Sequence, residues 1–206
     1  MTEQNTHWLE FLDATRDVPP RPNLLRALKY LPETGCALDL GCGAGHDTLA
    51  LLRHGLQVTA VDLLPEAVDL TIQKAEQAGL ESSLQALCCR FEDYIPGKKY
   101  DLVYSGFSLP FCPPKYFPET WKRLCLALAP GGLLAVQLFG NHDEWAESGE
   151  HPEITFHSRD DVEKLSADFE KLHFEEVERP GWTATGKRKY WHVFHLLFRN
   201  APHKAV

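Results

Sequence analysis

The sequence has no apolar run long enough to cross a membrane and no excess of basic residues to attract a polyanion. A transmembrane helix needs about 20 consecutive apolar residues, and no stretch of the 206 residues approaches that length. Residues 1–6 lack the basic and apolar segments of a signal peptide. Lys and Arg number 21 against 29 Asp and Glu, a formal net charge of −8, which opposes binding to nucleic acid. We therefore expect a cytoplasmic protein without a membrane or nucleic-acid partner.

The cysteines and histidines show no spacing typical of a metal site. None of the six cysteines forms a C-x-x-C pair, which argues against structural zinc. Cys88 and Cys89 are adjacent, and we expect both in a buried strand. His192 and His195 are three residues apart near the end of the chain, and residues three apart in a strand point to opposite faces. The sequence therefore predicts no metal site.

Apolar runs alternate with helical patterns along the chain. The predicted strands are residues 37–40, 57–62, 84–89, 101–105, 133–139, 174–178 and 191–198. Such alternation is typical of βαβ units in a mainly parallel sheet. Residues 183–189 are too few for a crossover helix, so the last two strands should pair antiparallel. We predict an α/β fold, a doubly wound three-layer sandwich whose mostly parallel seven-stranded sheet ends in an antiparallel hairpin.

The length of the chain fits one domain. We divide residues 1–206 into an N-terminal helical segment (1–34), a core (35–139), and a lid with the C-terminal hairpin (140–206). Residues 140–157 are polar and should form a loop or lid.

A glycine-rich turn joins the first strand to the next helix. It has the pattern acid-x-Gly-x-Gly-x-Gly between Asp39 and Gly45. In open α/β sheets, ligands bind beside such turns at the carboxyl ends of the strands. Gly41 should allow the tight turn, Gly43 the close approach of backbone to a ligand, and Gly45 close packing of the helix. The G-x-G-x-x-G motif of dinucleotide enzymes needs a glycine where His46 stands, so dinucleotide binding is the competing interpretation.

An acid ends the second predicted strand at the position where α/β domains bind ribose. Asp62 can accept hydrogen bonds from both ribose hydroxyls, and Leu63 can rest against a base. Over residues 35–139 the turn, the helix and this acid resemble class I S-adenosylmethionine-dependent methyltransferases. More loosely, the chain is similar to the tellurite-resistance methyltransferase branch, which shares a short N-terminal segment and a helix–hairpin ending.

The resemblance implies that the core is a cofactor-binding unit for S-adenosyl-L-methionine. Asp39 would attract the methionine ammonium, directly or through water, and Arg16 or Arg21 would pair with the carboxylate. The cofactor residues that we expect are Asp39, Gly41, Cys42, Gly43, Gly45, Asp62, Leu63, Phe91, Glu92, Ser105 and Arg21.

One position departs from the family pattern. Where many members carry an acid for the adenine amino group, this chain has Arg90. Phe91 would then stack on the adenine, and Glu92 or Asp93 would take the amino contact. The residue that holds the amino group is left open by the sequence.

The resemblance also implies a function, a methyltransferase that acts on a small-molecule acceptor by in-line displacement at the sulfonium methyl. The acceptor is expected beyond the fourth strand, where an apolar wall can form. That expected wall consists of Phe107, Phe111, Tyr116 and Trp145. Ser108 and His142 are the candidate catalytic residues, with His142 as a general base if the acceptor is protonated.

Two other functions stay open at this point. A regulatory protein would bind the cofactor without turnover, and the Arg90 departure favours that alternative. A protein or nucleic-acid methyltransferase is disfavoured by the net charge and by the lack of an appended recognition domain. The sequence does not identify the methylated atom, and it is compatible with a monomer or a homodimer.

Overall fold

The structure, a computed structural model, describes residues 3–200. Its strands are β1 Gly35–Leu40, β2 Leu56–Asp62, β3 Leu84–Cys88, β4 Tyr100–Ser105, β5 Leu128–Gly140, β6 Phe156–His157, β7 Glu170–Trp182 and β8 Arg188–Arg199. Its helices are α1 Glu3–Ala14, α2 Pro22–Leu28, α3 His46–Arg53, α4 Pro65–Gln77, α5 Phe117–Ala127, α6 Glu144–Ser148 and α7 Arg159–Leu165. Residues 1–2 and 201–206, the outer ends of the predicted terminal segments, lie outside the described range. Among the described helices, none has the length and hydropathy of a membrane span.

The strands form one mixed sheet in the order β3-β2-β1-β4-β5-β8-β7, and β6 pairs with the end of β5. In the part of the sheet ordered β3-β2-β1-β4-β5, every strand is parallel to its neighbours. By contrast, β8 pairs antiparallel with both β5 and β7. The predicted fold class is therefore confirmed. The chain leaves β1 toward β2 on one side and returns to β4 on the other, so the carboxyl end of β1 is the switch point where α/β folds bind ligands.

Two apolar cores cover the two faces of the sheet. On the face that we call the α5 face, Leu134 and Leu138 of β5 pack with residues of α5 and α7. On the opposite face, the α3 face, Leu133 and Ala135 of β5 pack with residues of α2, α3 and α4. Because β5 is buried on both sides, its sequence is apolar at nearly every position.

Local features differ from the sequence predictions where tertiary pairing decides them. Cys88 is exposed and Cys89 is only half-buried, because β3 lies at the edge of the sheet, so the predicted buried cysteine pair is wrong. The predicted loop at residues 140–157 contains α6 and β6. β7 is longer than predicted, since its pairing with β8 continues through a bulge near Lys171. Ser158 caps α7 as its sequence suggests, in a reciprocal capping box with Asp161.

Candidate functional site

The glycine turn is tied to the end of β2 by Asp62. The Gly43 N–H donates to Asp62 Oδ2 at 2.8 Å, and the Leu64 N–H donates to Oδ1 at 3.0 Å. Burial raises the pKa of Asp62, and these backbone donors act against that rise. A carboxylate offers about four lone-pair sites, so Asp62 keeps capacity for hydroxyl groups of a ligand.

The three glycines of the turn have different surroundings. A Cβ on Gly41 would overlap Ser108, and one on Gly45 would lie 3.0 Å from the Thr71 Cα. A Cβ on Gly43, whose φ is +51°, would meet nothing within 4 Å. Gly41 and Gly45 therefore serve packing, whereas Gly43 borders open space. Leu63, which is 43% exposed, adds apolar surface at the end of β2, and its predicted contact with a base stays a prediction.

Asp39 lies beneath the turn and not in the open space. It is 1% exposed, and the Thr48 hydroxyl donates to Asp39 Oδ2 at 2.5 Å. Burial, reinforced by the nearby Asp47 carboxylate, raises the pKa of Asp39 to about 7. A positive ligand near the turn would favour its ionised form. Its predicted contact with an ammonium group stays a prediction.

Arg21 is anchored beside the end of β4 by Asp47. The Arg21 backbone N–H and guanidinium donate to the two oxygens of Asp47, at 2.9 and 3.1 Å, and the Tyr104 hydroxyl donates to Oδ2 at 2.7 Å. A Cβ on Gly106 would lie 3.0 Å from Arg21 Cδ. Sequence reasoning missed Asp47 and Tyr104. The signal for Asp47 was an acid in the first turn of the helix that follows the glycine turn.

In the segment after β3, Arg90, which departs from the family pattern, pairs with Glu92, one of the predicted cofactor residues. Arg90 Nε donates to Glu92 Oε1 at 2.7 Å. A Cβ on Gly41 would be 3.2 Å from Phe91 Cζ, so the Phe91 ring lies against the glycine turn. Phe91 is thus close to the open space, and Glu92 is held by Arg90. Their adenine contacts stay predictions.

Ser105 and Ser108 fasten the loop after β4 to the end of β1. Ser105 is fully buried, its Oγ accepts from the Leu109 N–H at 2.9 Å, and it shares a 2.7 Å hydrogen bond with Ser108 Oγ. Ser108 Oγ donates to the Leu40 carbonyl. This network gives both hydroxyls a holding role, and neither the predicted cofactor contact of Ser105 nor the predicted catalytic role of Ser108 is tested by it.

Three of the four predicted wall residues meet around Phe139. Its ring centroid lies 6.3 Å from that of Phe107, 5.8 Å from Phe111 and 5.9 Å from Trp145. Trp191 joins the group at 5.8 Å. We call the following five residues the aromatic wall: Phe107, Phe111, Phe139, Trp145 and Trp191. Tyr116 is the N-cap residue just before α5, is 42% exposed, and is not part of this cluster in the described structure.

Helix α1 covers the space between the glycine turn and the aromatic wall. Leu12 packs with Ala44 and Leu64 beside the turn, and the Trp8 ring meets Phe111 edge to face at 4.7 Å. Two open surface depressions, of about 610 and 420 Å³, run along the outer side of α3 and border neither the open side of the turn nor the wall.

His142 lies on the other face of the sheet from the aromatic wall. Its ring stacks on His192 at 5.0 Å, and its Nδ1 is 3.3 Å from Glu178 Oε1. Alternate residues of a strand face opposite ways, so His192 looks to the α5 face, whereas Trp191 and His195 look to the α3 face. The predicted base His142 is thus not brought together with Phe107, Phe111 and Trp145, and its catalytic role remains untested.

Hydrogen bonding explains the cluster of His142, Glu178 and His192 without a metal ion. Their potential ligand atoms lie within 4.8 Å of one another. The His142 backbone N–H donates to His192 Nδ1 at 3.1 Å, and His192 Nε2 is 3.0 Å from Glu176 Oε1. A neutral His192 whose Nδ1 accepts must carry its proton on Nε2, so that nitrogen has no lone pair for a metal.

Lys189 is a buried cation that holds α6 against β8. It is 4% exposed, forms an ion pair with the fully buried Asp143, and places its ammonium 3.5 Å from the Trp145 ring centroid and 3.9 Å from that of Trp191. Burial lowers the pKa of Lys189, and the Asp143 carboxylate opposes that change. Asp143 also accepts from the backbone N–H groups of Trp145 and His192. The pair thus fixes one end of the aromatic wall.

Comparison with known sequences identifies a family. Residues 37–132 match the family described as methyltransferase domain. The trans-aconitate 2-methyltransferase of Deinococcus radiodurans is 36% identical over 151 residues, which cover 69% of this chain and 52% of that protein. The putative methyltransferase YqeM of Bacillus subtilis is 28% identical over 64% of this chain and 52% of that protein. The chain therefore spans about half the length of these curated relatives.

Solved structures share the fold at low identity. TehB from Haemophilus influenzae superposes with a TM-score of 0.75 at 18% identity, covering 87% of this chain and 62% of that one. The N-methyltransferase NodS from Bradyrhizobium japonicum, in complex with S-adenosyl-L-homocysteine, gives 0.66 at 19% identity over 87% and 84%. These likenesses show the fold.

Proposed function

Because the chain belongs to the class I S-adenosylmethionine-dependent methyltransferase superfamily, we propose that it transfers a methyl group from S-adenosyl-L-methionine to a small-molecule acceptor. The observation that carries the proposal is the open space at Gly43, whose backbone N–H donates to Asp62 at the end of β2. Asp62 has acceptor capacity for ribose hydroxyls, and Leu63 offers apolar surface to the adenine. A dinucleotide fits less well, since its pyrophosphate needs free N–H groups at the turn and the Gly43 N–H is taken by Asp62.

In this proposal, different residues bind the cofactor and shield the methyl transfer from water. Bound S-adenosyl-L-methionine supplies a methyl group that its positive sulfur has already activated. In this proposal Arg21, held by Asp47, binds the carboxylate of the methionine part, and the Asp39 carboxyl below the turn favours its positive groups. The aromatic wall and α1 shelter the transfer from water. Positioning of this kind contributes up to about 10 kcal/mol to catalysis.

A small acceptor suits the enclosed character of the wall. Helix α1 closes the region from one side through Trp8, and Lys189 with Asp143 closes it from the other. The net charge of −8 disfavours nucleic acid as the substrate. The name of the Deinococcus radiodurans relative assigns that protein a small organic acid as substrate, which supports the size class of the acceptor here.

Binding and turnover measured separately test the proposal. Calorimetry should show binding of S-adenosyl-L-methionine and S-adenosyl-L-homocysteine but not of NAD. Incubation with a panel of small acids, alcohols, phenols and amines should yield S-adenosyl-L-homocysteine in step with one of them. Binding of NAD in place of the adenosyl ligands would contradict the assignment of the turn. Binding without turnover across a broad panel would favour a regulatory protein.

A further inference from the structure

Gln137 is a buried amide for which the described structure provides no partner. It lies in β5 between apolar neighbours, is 1% exposed, and its Oε1 has no hydrogen bond. More than nine in ten buried polar groups in native proteins are paired, so each exception calls for an explanation. An amide offers both a donor and an acceptor, so Gln137 can form hydrogen bonds with a polar group of a ligand.

His195 is the cross-strand neighbour of Gln137. The two residues are directly opposite in the antiparallel pair of β5 and β8, which puts their Cβ atoms about 5 Å apart on one face of the sheet. That face is the α3 face, the one that bears the aromatic wall. The His195 ring meets Phe107 edge to face at 5.8 Å. Gln137 and His195 thus place two polar groups at the foot of the wall.

Phe107 marks the place where these polar groups meet the wall. Its φ is +61°, a left-handed conformation that is a genuine outlier for a bulky residue. Its ring lies between His195 and Arg21, whose guanidinium carbon is 5.9 Å from the ring centroid. Such backbone strain clusters at ligand sites, where surrounding contacts maintain it. The outlier therefore supports a binding role for this corner of the α3 face.

Of the charged groups that face His195, the Glu175 carboxylate acts on it most strongly. Glu175 of β7 is directly opposite it in the register of the hairpin and is also paired with His173, at 3.2 Å. Arg179 of β7 and Arg26 of α2 act on the ring less strongly. Burial lowers the pKa of His195, and Glu175 opposes that change. Burial thus favours the neutral ring of His195, and the carboxylate beside it favours the protonated ring.

We propose that Gln137 and His195 bind the nucleophilic group of the acceptor, and that this group carries a hydrogen, as a hydroxyl or an amine does. The inference rests on the proposed function. In the transfer, a lone pair of the oxygen or nitrogen forms the bond to the methyl carbon as the carbon–sulfur bond breaks, and the electron pair of that bond stays on sulfur. His195 accepts the proton released by the nucleophile and passes it to water. A carboxylate acceptor would instead bring negative charge toward Glu175.

A binding experiment tests the class of acceptor. Three probes of one shape, 2-phenylethylamine, 2-phenylethanol and phenylacetate, are titrated calorimetrically into protein saturated with S-adenosyl-L-homocysteine. The amine and the alcohol should bind at least tenfold more tightly than the acid because Glu175 repels a carboxylate, and Gln137→Leu should weaken the binding of the amine and of the alcohol. A preference for phenylacetate, or equal affinities in wild-type and Gln137→Leu protein, would overturn the inference. Saturation with S-adenosyl-L-homocysteine is measured first, so failure of the proposed function shows as failure of that step.

Turnover tests the role of His195 against that of His142, which lies on the opposite face. With a hydroxyl or amine acceptor, His195→Gln should lower kcat by about 100-fold or more and abolish the acid limb of the pH profile, while affinity for S-adenosyl-L-homocysteine stays as in the wild type. His142→Gln makes the same chemical change elsewhere and should keep the acid limb. Loss of that limb in His142→Gln alone, or an unchanged profile in His195→Gln, would refute the assignment.

Discussion

The buried carboxyl of Asp39 makes a specific prediction about stability and pH. Its pKa is raised from 3.8 to about 7 in the folded protein, so the folded state binds more protons than the unfolded state between these values. Stability from this group is therefore present at low pH and is lost as pH rises from about 4 to 7. The rise in pKa corresponds to about 4 kcal/mol above pH 7. Asp39→Asn removes the ionisation, and we expect ligand-free variant protein to be more stable than wild type at pH 8 by up to about that amount.

Urea unfolding at a series of pH values measures the effect. The free energy of unfolding of Asp39→Asn minus that of wild type should be near zero at pH 4 and should grow toward pH 8, because contributions of other groups cancel in the difference. Asp13→Asn, at a carboxyl that is 84% exposed, is the matched control and should give a difference near zero at every pH. A variant that is less stable than wild type at pH 8, or a difference that does not change with pH, would refute the reasoning.

Two further predictions concern the turn and the buried ion pair. Gly43→Ala should lower the free energy of unfolding by no more than about 1–2 kcal/mol, the usual cost of a left-handed alanine, yet weaken S-adenosyl-L-homocysteine binding at least tenfold. Gly45→Ala should instead lower the thermal midpoint, since its Cβ would press on Thr71. A Gly43→Ala protein that melts early but binds normally, together with a Gly45→Ala protein that melts normally but binds weakly, would contradict the ligand role of Gly43 and the packing role of Gly45. Lys189→Met leaves the Asp143 carboxylate buried without its cation, and should cost about 3–5 kcal/mol in urea unfolding. Combining it with Asp143→Asn should restore much of that loss, and a double variant no more stable than Lys189→Met would argue against the pair.

The cofactor side of the site was accessible to sequence reasoning because it is local. Strand, turn, helix and strand-ending acid occupy consecutive segments, and parallel strands bring Gly43 and Asp62 to one edge of the sheet. The distinct surroundings of Gly41 and Gly43 needed the structure, since Ser108 reaches Gly41 from a distant loop. The burial of Asp39 likewise depends on Thr48 and on helix packing.

The acceptor side depended on pairing that no local pattern specifies. His142 was an attractive base from its place after β5, but the register of β8 puts its partner His192 on the face away from the wall. The same register moves His195 next to Phe107. Gln137 had a visible signal, a polar residue within an otherwise apolar strand, whose meaning appears only when its neighbour in β8 is known. Tyr116 does not join the wall, since it lies just before α5 with a side chain that is 42% exposed.

The contribution of the Asp62 carboxylate to the affinity for the adenosyl ligand is the most direct test of the proposed cofactor site. Calorimetric titration of S-adenosyl-L-homocysteine into Asp62→Ala protein should give binding about 5- to 160-fold weaker than in wild type, the cost of about 1–3 kcal/mol for lost charged hydrogen bonds. Asp69→Ala, at an exposed acid on α4, should bind as wild type does. Equal affinity in wild type and Asp62→Ala would contradict the claim that this carboxylate holds the ribose.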